Sequence, residues 1–434
     1  MTSFRVIVAL AAHYQFHLQQ LNIKTTFLHG DLDEELFLQQ PLHYEDSTSP
    51  HYVCRLHKAI YNLKQSPRQW YLKLHQFYIA HGYSQLQMDS TIYTHHTSES
   101  ILVLAIYVDD IPIMSDKEYV LIAAKKELSQ DFPLTDGGPI SYCLGLLMQR
   151  DYQKATISLS QSRYVAKVLQ RFNLSSCKGV DIPFTPSVKL ISEMMPITPN
   201  EQEQMAAIPY MPAIGRIRYL VTCIRPDICF TAGYLSRSMQ DLCLPHWKQL
   251  THLLRYIKAT QDLCLVFSAA SHSDSPILHG WCDADWGGNL DNCKSTTNYV
   301  FTLVGGQSHG IVKFKLVFLS PIQKQNTLLL LLQPLKGYGF KDYSKNSKYI
   351  KPKSFTLYSD NQSCIYLARN KKQSEKTKHI DVKYHFKRDI IEDGQLHFAY
   401  TSTSEMWADF LTKPVPKLKH EECSLAIGLQ KAQA

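Results

Sequence analysis

The sequence predicts a multidomain α+β protein, with an α+β N-terminal region, a helical middle region and a C-terminal α/β domain. Its 434 residues, 44% of them hydrophobic, can bury more than one core, because domains cluster near roughly 100–200 residues. Helix-like and strand-like periodicities alternate over residues 1–160, and helical periodicity dominates residues 161–268. Residues 268–276, rich in Ser, His and Asp, predict a linker, which leaves residues 277–413 for the α/β domain and 414–434 for a tail.

Charge and cysteine usage narrow the class of protein. Lys and Arg outnumber Asp and Glu by 46 to 38, and the net charge of +8 suits a polyanionic partner without proving one. The 11 cysteines include no C-x-x-C pair, which argues against a disulfide framework and a zinc ribbon. We therefore expect an intracellular protein, cytoplasmic or nuclear. The longest leucine run, Leu328–Leu332, is far too short to cross a bilayer, so no membrane partner is expected.

The first elements follow from hydrophobic spacing. Apolar residues recur every fourth position from Val6 to Leu18 and predict a helix, and the alternating stretch Leu21–Leu28 predicts a strand. Arg68–Ala80 carries its large apolar residues on one helical face, which predicts an amphipathic helix.

A hairpin with two acids at its tip is predicted next, because the apolar runs Ile101–Tyr107 and Ile111–Met114 flank a pair of aspartates. The following predicted elements are a helix at Lys117–Phe132, a loop at Asp136–Pro139, and two strands within Ile140–Gln149 and Thr156–Leu159.

The two acids of this hairpin are Asp109 and Asp110. Neighbouring carboxylates repel each other, so their position at a hairpin tip indicates a cation site. An isolated Asp-Asp pair is more often a solvated turn between strands. The surrounding motifs decide between the two interpretations.

Three motifs, in this order, resemble those of copia-type reverse transcriptases: Lys24–Leu32 (KTTFLHGDL), Leu63–Tyr71 (LKQSPRQWY) and Tyr107–Asp110 (YVDD). Further matches at Tyr210–Ala213, Arg225–Ile228 and Trp281–Trp286 extend the resemblance across nearly the whole chain. The resemblance implies a reverse transcriptase palm, a helical thumb or connection, and a C-terminal ribonuclease H-like domain in the three predicted regions. Because the chain begins inside the resemblance, the palm is expected to be N-terminally truncated and to lack most of its fingers.

The resemblance implies a two-metal polymerase site. Such polymerases use two Mg2+ ions, with Mn2+ as the alternative, held by aspartates, and Asp109 and Asp110 would supply part of that set. A further aspartate opens the family motif that reads Met-Asp-Val-Lys, and this sequence has Asn22 there. A neutral amide offers an oxygen but no charge, so we expect loss of the second metal and a large fall in rate.

The resemblance also implies substrate contacts. Phe27 stands where the family places the side chain that excludes a nucleotide 2′-hydroxyl, although a buried strand aromatic explains it equally well. Asn62 stands where the family usually has glycine, and its side chain is expected to crowd the incoming base pair. Most Lys and Arg residues are solvated surface, so each basic residue alone is a weak signal. The remaining predicted substrate-binding residues are Tyr61, Lys64, Gln65, Arg68 and Tyr107.

Three later segments resemble the acidic motifs of a copia-type ribonuclease H: Cys282–Gly288 with Asp283, Ser359–Ser363 with Asp360, and Ala408–Lys413 with Asp409. The resemblance implies that these aspartates bind a metal pair, although Asp-Asn-Gln-Ser alone would more often cap a helix. The glutamate that completes the family's set has no counterpart in Leu319–Thr327. Thr377–Asp381 is a hallmark of the family and is assigned only nucleic-acid contact or support.

A frameshift over roughly residues 307–349 would explain the missing glutamate. One set of codons for Gln323–Thr327 reads Thr-Glu-Ala-Glu-Tyr in the neighbouring phase, and the same shift in Ser308–Phe314 allows Ser-Trp-His-Ser-Gln-Val-Gln. Both readings resemble the family. Ordinary divergence is the alternative, but the recovery of two motifs in one phase favours the shift, and genomic DNA without those codons would contradict it.

Three functions remain open. The first is an active RNA-directed DNA polymerase with ribonuclease H, which acts on an RNA template, a DNA primer, dNTPs and the RNA–DNA hybrid. The second is a catalytically dead module that binds such duplexes, and the third is a remnant that barely folds. Asn22 and the missing glutamate favour a member of the enzyme family with lost or crippled activity. Proteins encoded by the same element are the further partners considered.

Overall fold

The computed structural model describes residues 1–86, 89–185, 203, 205, 207–239, 242–268, 277–285, 296–304, 311–314, 355–362, 365–366 and 396–431. These residues form two compact units, one at Phe16–Cys143 and the other at Met1–Gln15 with Leu144–Ala434. Nearly all of the predicted linker, most of the predicted frameshifted segment, and the segments Leu319–Thr327 and Thr377–Asp381 lie outside the described residues.

The helices, in chain order, are α1 (Thr2–His13), α2 (Ser66–Ala80), α3 (Glu118–Asp131), α4 (Ser162–Arg171), α5 (Tyr210–Cys223), α6 (Cys229–Leu235), α7 (Leu244–Ala259) and α8 (Lys417–Ala426). The strands are β1 (His17–Ile23), β2 (Asp31–Gln39), β3 (Val53–Lys58), β4 (Ser84–Leu86), β5 (Asp89–His96), β6 (Ile101–Ala105), β7 (Asp110–Ser115), β8 (Leu134–Pro139), β9 (Tyr142–Cys143), β10 (Leu146–Asp151), β11 (Thr156–Ser160), β12 (Leu263–Ser268), β13 (Ile277–Asp285), β14 (Thr296–Val304), β15 (Ile311–Phe314), β16 (Phe355–Ser359), β17 (Leu396–Tyr400) and β18 (Leu429–Lys431).

The unit Phe16–Cys143 is built on a sheet of order β4-β5-β6-β7-β1-β8, with a separate hairpin of β2 and β3. One face of the sheet packs against α2 and α3 in a single hydrophobic core. The α2 side of that core includes Trp70, Leu74 and Tyr78, which fall on one helical face as the apolar spacing predicts. The predicted amphipathic helix, the predicted hairpin and the predicted helix near 117–132 are confirmed.

The sequence predictions for the first helix and the first strand are wrong in their boundaries. The first helix ends at His13 rather than continuing to Leu18, because Gln15 adopts a left-handed φ of 56° and the chain then enters β1. The predicted strand Leu21–Leu28 likewise stops at Ile23, and a 3-10 turn follows at Thr26–His29.

The predicted loop at Asp136–Pro139 is also wrong, because these residues belong to β8 and pair with β1. The register shifts between Gln20 and Leu21, and a Cβ at Gly137 would lie only 3.0 Å from the Gln20 carbonyl oxygen. Gly138 has a φ of +64°. Gly137 and Gly138 therefore permit an irregular strand in a segment whose composition predicts a loop.

The other unit contains two sheets. One has the strands β18, β12, β11 and β10 in that order, and the other has the order β15-β14-β13-β16-β17. In the second sheet β13, β16 and β17 run parallel to one another. The segment predicted as a tail contains α8 and β18, and β18 pairs with β12. In the part of the chain that the structure describes, no helix has the length and apolar character required to span a membrane.

A large hydrophobic core joins helices α4 to α7 with the C-terminal residues that flank and include α8. Within it, Arg225 and Asp227 form a fully buried ion pair, with Nε to Oδ1 at 2.9 Å and Nη2 to Oδ2 at 2.7 Å. Tyr256 donates its hydroxyl hydrogen to Asp227 at 2.9 Å, and His420 Nε2 lies 3.1 Å from the Asp227 carbonyl oxygen. The Arg225–Ile228 motif therefore links the helical region to α8.

Candidate active sites

The pairing of β1 with β7 sets the geometry of the first candidate site. The two strands are antiparallel, with Asn22 opposite Asp110. Side chains alternate along a strand, so Asn22 and Gln20 lie on the face away from Leu21 and Ile23, which enter the core under the helices. The amides and the carboxylates therefore share the sheet face that α2 and α3 do not cover.

A tight turn brings the two aspartates to the start of β7. Tyr107 and Asp110 exchange backbone hydrogen bonds of 2.9 and 3.1 Å. Val108 between them has a φ of +63°, a left-handed conformation that costs a β-branched residue about 1–3 kcal/mol. Trp70 Nε1 donates to the Val108 carbonyl oxygen at 2.8 Å, and Ile23 N donates to the Asp109 carbonyl oxygen at 2.9 Å. These contacts hold the strained turn against the adjoining elements.

Amide groups, rather than a third carboxylate, face the aspartates. Asn22 Nδ2 donates to Asp109 Oδ2 at 3.1 Å and to Asp110 Oδ1 at 3.2 Å. Gln20 Nε2 donates to Asp110 Oδ1 at 2.9 Å. Hydrogen bonds to the ionised form stabilise a carboxylate, so the two amides perform part of the stabilisation that a cation would provide.

Four of the predicted substrate-binding residues lie just before α2 or in its first turn: Tyr61, Lys64, Gln65 and Arg68. Phe27 lies in the 3-10 turn after β1, and Tyr107 lies in the turn before β7. The Phe27 and Tyr61 rings contact edge to face, with centroids 5.0 Å apart, and Tyr61 is exposed. Asn62 has a φ of +71°, a conformation that glycine adopts freely and that asparagine tolerates better than most other residues. Lys64 and Arg68 are exposed, whereas Gln65 is half-buried and donates to Glu34 at 3.3 Å.

The second candidate site gathers the three other predicted aspartates. Asp283 lies near the end of β13, Asp360 directly follows β16, and Asp409 opens a 3-10 turn after β17. One carboxylate oxygen from each lies within 4.8 Å of the other two. Parallel strands end at the same edge of a sheet, which explains why residues so distant in sequence converge.

Three donors between residues 403 and 413 contact this cluster, and one of them, Lys413, carries a positive charge. Lys413 Nζ lies 2.9 Å from Asp409 Oδ1 and 3.8 Å from Asp283 Oδ2. Thr412 donates its hydroxyl hydrogen to Asp283, and Thr403 donates to Asp360 Oδ2 at 3.4 Å.

Burial raises the pKa of Asp409, and the nearby Asp283 and Asp360 add to this rise while Lys413 opposes it. Burial alone would lower the pKa of Lys413, but the hydrogen bond to Asp409 and the acidic neighbours raise it.

The segment that carries Asp409 is anchored in the large hydrophobic core. Ala408, Phe410 and Leu411 are buried there, and Asn298 Nδ2 on β14 donates to the Leu411 carbonyl oxygen at 2.5 Å. The position of Asp409 thus depends on packing between the helical region and the C-terminal residues.

Sequence reasoning places the five aspartates in two groups, and the structure brings the members of each group together. The sequence motifs did not predict that Gln20, Thr412 and Lys413 contact these aspartates. Gln20 stands two residues before Asn22 and must share its strand face, while Lys413 is four residues after Asp409 within the quoted motif. These spacings can be read from the sequence, but the carboxylate that each donor contacts is determined by the fold.

Comparison with known proteins gives consistent matches. Residues 1–186 match the family described as reverse transcriptase (RNA-dependent DNA polymerase). The retrovirus-related Pol polyprotein from transposon TNT 1-94 of Nicotiana tabacum is 37% identical over 99% of this chain and 32% of that protein. The corresponding protein from transposon RE2 of Arabidopsis thaliana is 30% identical over 99% of this chain and 29% of that protein. The putative transposon Ty5-1 protein YCL074W of Saccharomyces cerevisiae is 26% identical over 66% of this chain and 89% of that protein.

Residues 1–186 therefore belong to the reverse transcriptase family. Nearly the whole chain is similar to Pol polyproteins of copia-type transposons, as its motifs predict. It covers 32% and 29% of the length of the two plant relatives.

Proposed function

We propose that this chain is a retrotransposon-derived RNA-directed DNA polymerase with a ribonuclease H-like region, and that its polymerase site is crippled. The observation that carries the proposal is the pair of hydrogen bonds from Asn22 to Asp109 and Asp110. The amide directs N–H groups at the oxygens that a cation needs, and its own oxygen adds no charge. The family's substrates, an RNA template, a DNA primer and dNTPs, belong to the same proposal.

The donor sets of the two candidate sites fit a metal differently. At the nuclease-like cluster, the oxygens of Asp283, Asp360 and Asp409 lie within 4.8 Å of one another and match the hard oxygen ligands that Mg2+ and Mn2+ prefer. A bound ion there would supply Lewis-acid activation for hydrolysis of the RNA strand in a hybrid. At the polymerase cluster, Asp109 and Asp110 are the only carboxylates that the described residues bring together, so this set is incomplete.

Primer extension with Mg2+ and Mn2+ tests the polymerase proposal. We expect little or no extension by the unaltered chain and a measurable gain for Asn22→Asp. Asn22→Ala is the matched control, since it removes the amide without adding a charge, and it should show no gain. Robust extension by the unaltered chain would contradict the proposal that the site is crippled.

Cleavage of the RNA strand in an RNA–DNA hybrid tests the nuclease proposal separately. Any cleavage should depend on divalent metal and disappear in Asp360→Asn. Asp181→Asn is the control, because Asp181 is exposed and pairs with Lys417 at 2.8 Å. Metal-dependent cleavage that persists in Asp360→Asn would contradict the assignment of this cluster.

A nucleic-acid-binding function without turnover is the second candidate. The net charge of +8 and the exposed Lys64 and Arg68, at and just before the start of α2, favour it. Duplex binding should then weaken steeply as salt rises, because each phosphate contact releases counterions. Affinity that does not change with salt would exclude this function.

A further inference from the structure

We propose that Lys413 is a built-in counter-ion of the nuclease-like cluster, and that a divalent cation binds there by displacing its ammonium group. This inference rests on the proposed metal-binding function of Asp283, Asp360 and Asp409. It adds a residue that controls access of the metal to that cluster.

The ammonium group of Lys413 contacts two of the three acids. It lies 2.9 Å from Asp409 Oδ1 and 3.8 Å from Asp283 Oδ2. These oxygens belong to the same carboxylates that approach within 4.8 Å of Asp360. Lys413 therefore competes for the oxygens that a metal would use.

Burial distinguishes this contact from an ordinary surface ion pair. The side chains of Asp283 and Asp409 are only 7% and 5% exposed, whereas that of Lys413 is 40% exposed. Buried carboxylates that lie close together repel strongly unless a positive charge is near. The flexible four-carbon stem of a partly exposed lysine can withdraw its charge into solvent without moving the backbone.

Two neighbouring contacts would survive this exchange. Thr412 donates to Asp283 and Thr403 to Asp360, so both carboxylates keep an orienting hydrogen bond after Lys413 leaves. The site would thus alternate between a lysine-neutralised and a metal-neutralised form with the same carboxylate positions.

Titration of the full chain with Mn2+, followed by calorimetry, tests the exchange. We expect Lys413→Gln to bind Mn2+ about tenfold more tightly or better, the scale seen when neighbours of metal ligands are changed. Lys413→Arg retains the charge and should stay close to the unaltered chain. Lys417→Gln is the control for net charge, since Lys417 pairs with Asp181 and not with the cluster.

The metal-free proteins provide a second measurement. Lys413→Gln should unfold at lower urea than the unaltered chain without metal, and saturating Mn2+ should reduce or reverse this difference. With 15N-labelled lysine, the ammonium resonance of Lys413 is assigned as the one that is absent from the spectrum of Lys413→Arg. In the unaltered chain this resonance should shift when Mg2+ is added. This measurement does not require the glutamine variant to fold.

The outcomes separate the inference from the function on which it rests. Mn2+ binding that Asp360→Asn does not weaken would overturn the proposed metal site itself. If binding depends on Asp360 but Lys413→Gln binds Mn2+ equally or less tightly, or the Lys413 resonance ignores Mg2+, the metal site stands and the exchange is wrong.

Discussion

The proposed polymerase cluster and the proposed nuclease-like cluster stabilise close carboxylates with different chemistry. Asp109 and Asp110 receive hydrogen bonds from the neutral amides of Asn22 and Gln20, whereas Asp283 and Asp409 face the charged Lys413. Under the proposed function Asn22 stands in place of a carboxylate ligand, so the loss would persist in every state of the site. Lys413 leaves the carboxylates of Asp283, Asp360 and Asp409 in place, and under the proposed exchange a metal displaces it.

The clusters also differ in what supports them. The polymerase aspartates depend on one turn and its contacts with β1 and α2, all within Phe16–Cys143. Asp409 depends on a core assembled from helices α4 to α7 and the C-terminal residues. A change remote in sequence should therefore affect the nuclease cluster more readily.

The largest effect is expected from Asp227→Asn, which leaves the Arg225 guanidinium buried without its counter-charge. Breaking such a pair costs about 3–5 kcal/mol, and the two side chains here are 1% and 0% exposed. Urea unfolding should report this loss, together with weaker Mn2+ binding at the Asp409 cluster. Asp181→Asn removes an exposed ion pair and should cost less than about 1 kcal/mol. Similar losses in the two variants would show that the buried pair does not support the cluster.

The second largest effect is expected from Asn22→Asp, measured as Mn2+ affinity. At 4 Å a charge pair is worth about 4 kcal/mol in a surface environment, and each 1.4 kcal/mol is tenfold in affinity. We therefore expect a gain of about 100-fold or more at the polymerase cluster. Asn22→Ala should show no gain, and an equal gain in both variants would mean that the amide blocks the metal sterically.

A smaller effect is expected from Trp70→Phe in the Asn22→Asp background. The change removes the indole hydrogen bond to the Val108 carbonyl oxygen, worth about 0.5–1.5 kcal/mol, while it keeps most of the packing. Calorimetry should give severalfold weaker Mn2+ binding than in Asn22→Asp alone. Unchanged affinity would mean that the strained turn holds its shape without this contact.

The smallest effect concerns pH. Burial lowers the pKa of His420 below its ordinary value of 6.5, although the neighbouring Asp227 opposes this. The unfolded chain then takes up a proton near pH 6.5 that the folded chain does not, so stability falls as pH drops below about 6.5. His420→Gln should reduce the loss of urea stability between pH 7 and pH 5.5. A loss equal to that of the unaltered chain would show that other histidines dominate it.

Local patterns predicted the local structure well. The apolar runs around Asp109 and Asp110 gave a hairpin with acids at its tip, and the spacing of Trp70 and Leu74 gave an amphipathic helix. The loop at Asp136–Pro139 was predicted wrongly because its glycines serve an irregular strand rather than a turn. Glycines in a sequence indicate that the backbone can adopt unusual conformations. Whether the segment forms a loop or an irregular strand depends on the strand with which it pairs, here β1.

The candidate sites were predictable only in part, because their members meet through strand register and core packing. Asn22 was found by resemblance, but its contact with both aspartates follows from the register of β1 against β7. The roles of Gln20 and Lys413 required the positions of side chains from separate elements. Asp227 pairs with Arg225 and contacts His420 of α8, and the contact with His420 likewise cannot be predicted from local periodicity.

The pairing of β18 with β12 has a consequence for the order of folding. Cys264 and Gln430 hydrogen-bond although they are 166 residues apart in sequence, and His420 reaches Asp227 across 193 residues. Contacts between such distant positions form late, since the chain must first close a long loop. During synthesis the turn that carries Asp109 and Asp110 can form once Phe16–Cys143 has emerged, whereas the cluster of Asp283, Asp360 and Asp409 gains its charged neighbour only after Lys413 has emerged.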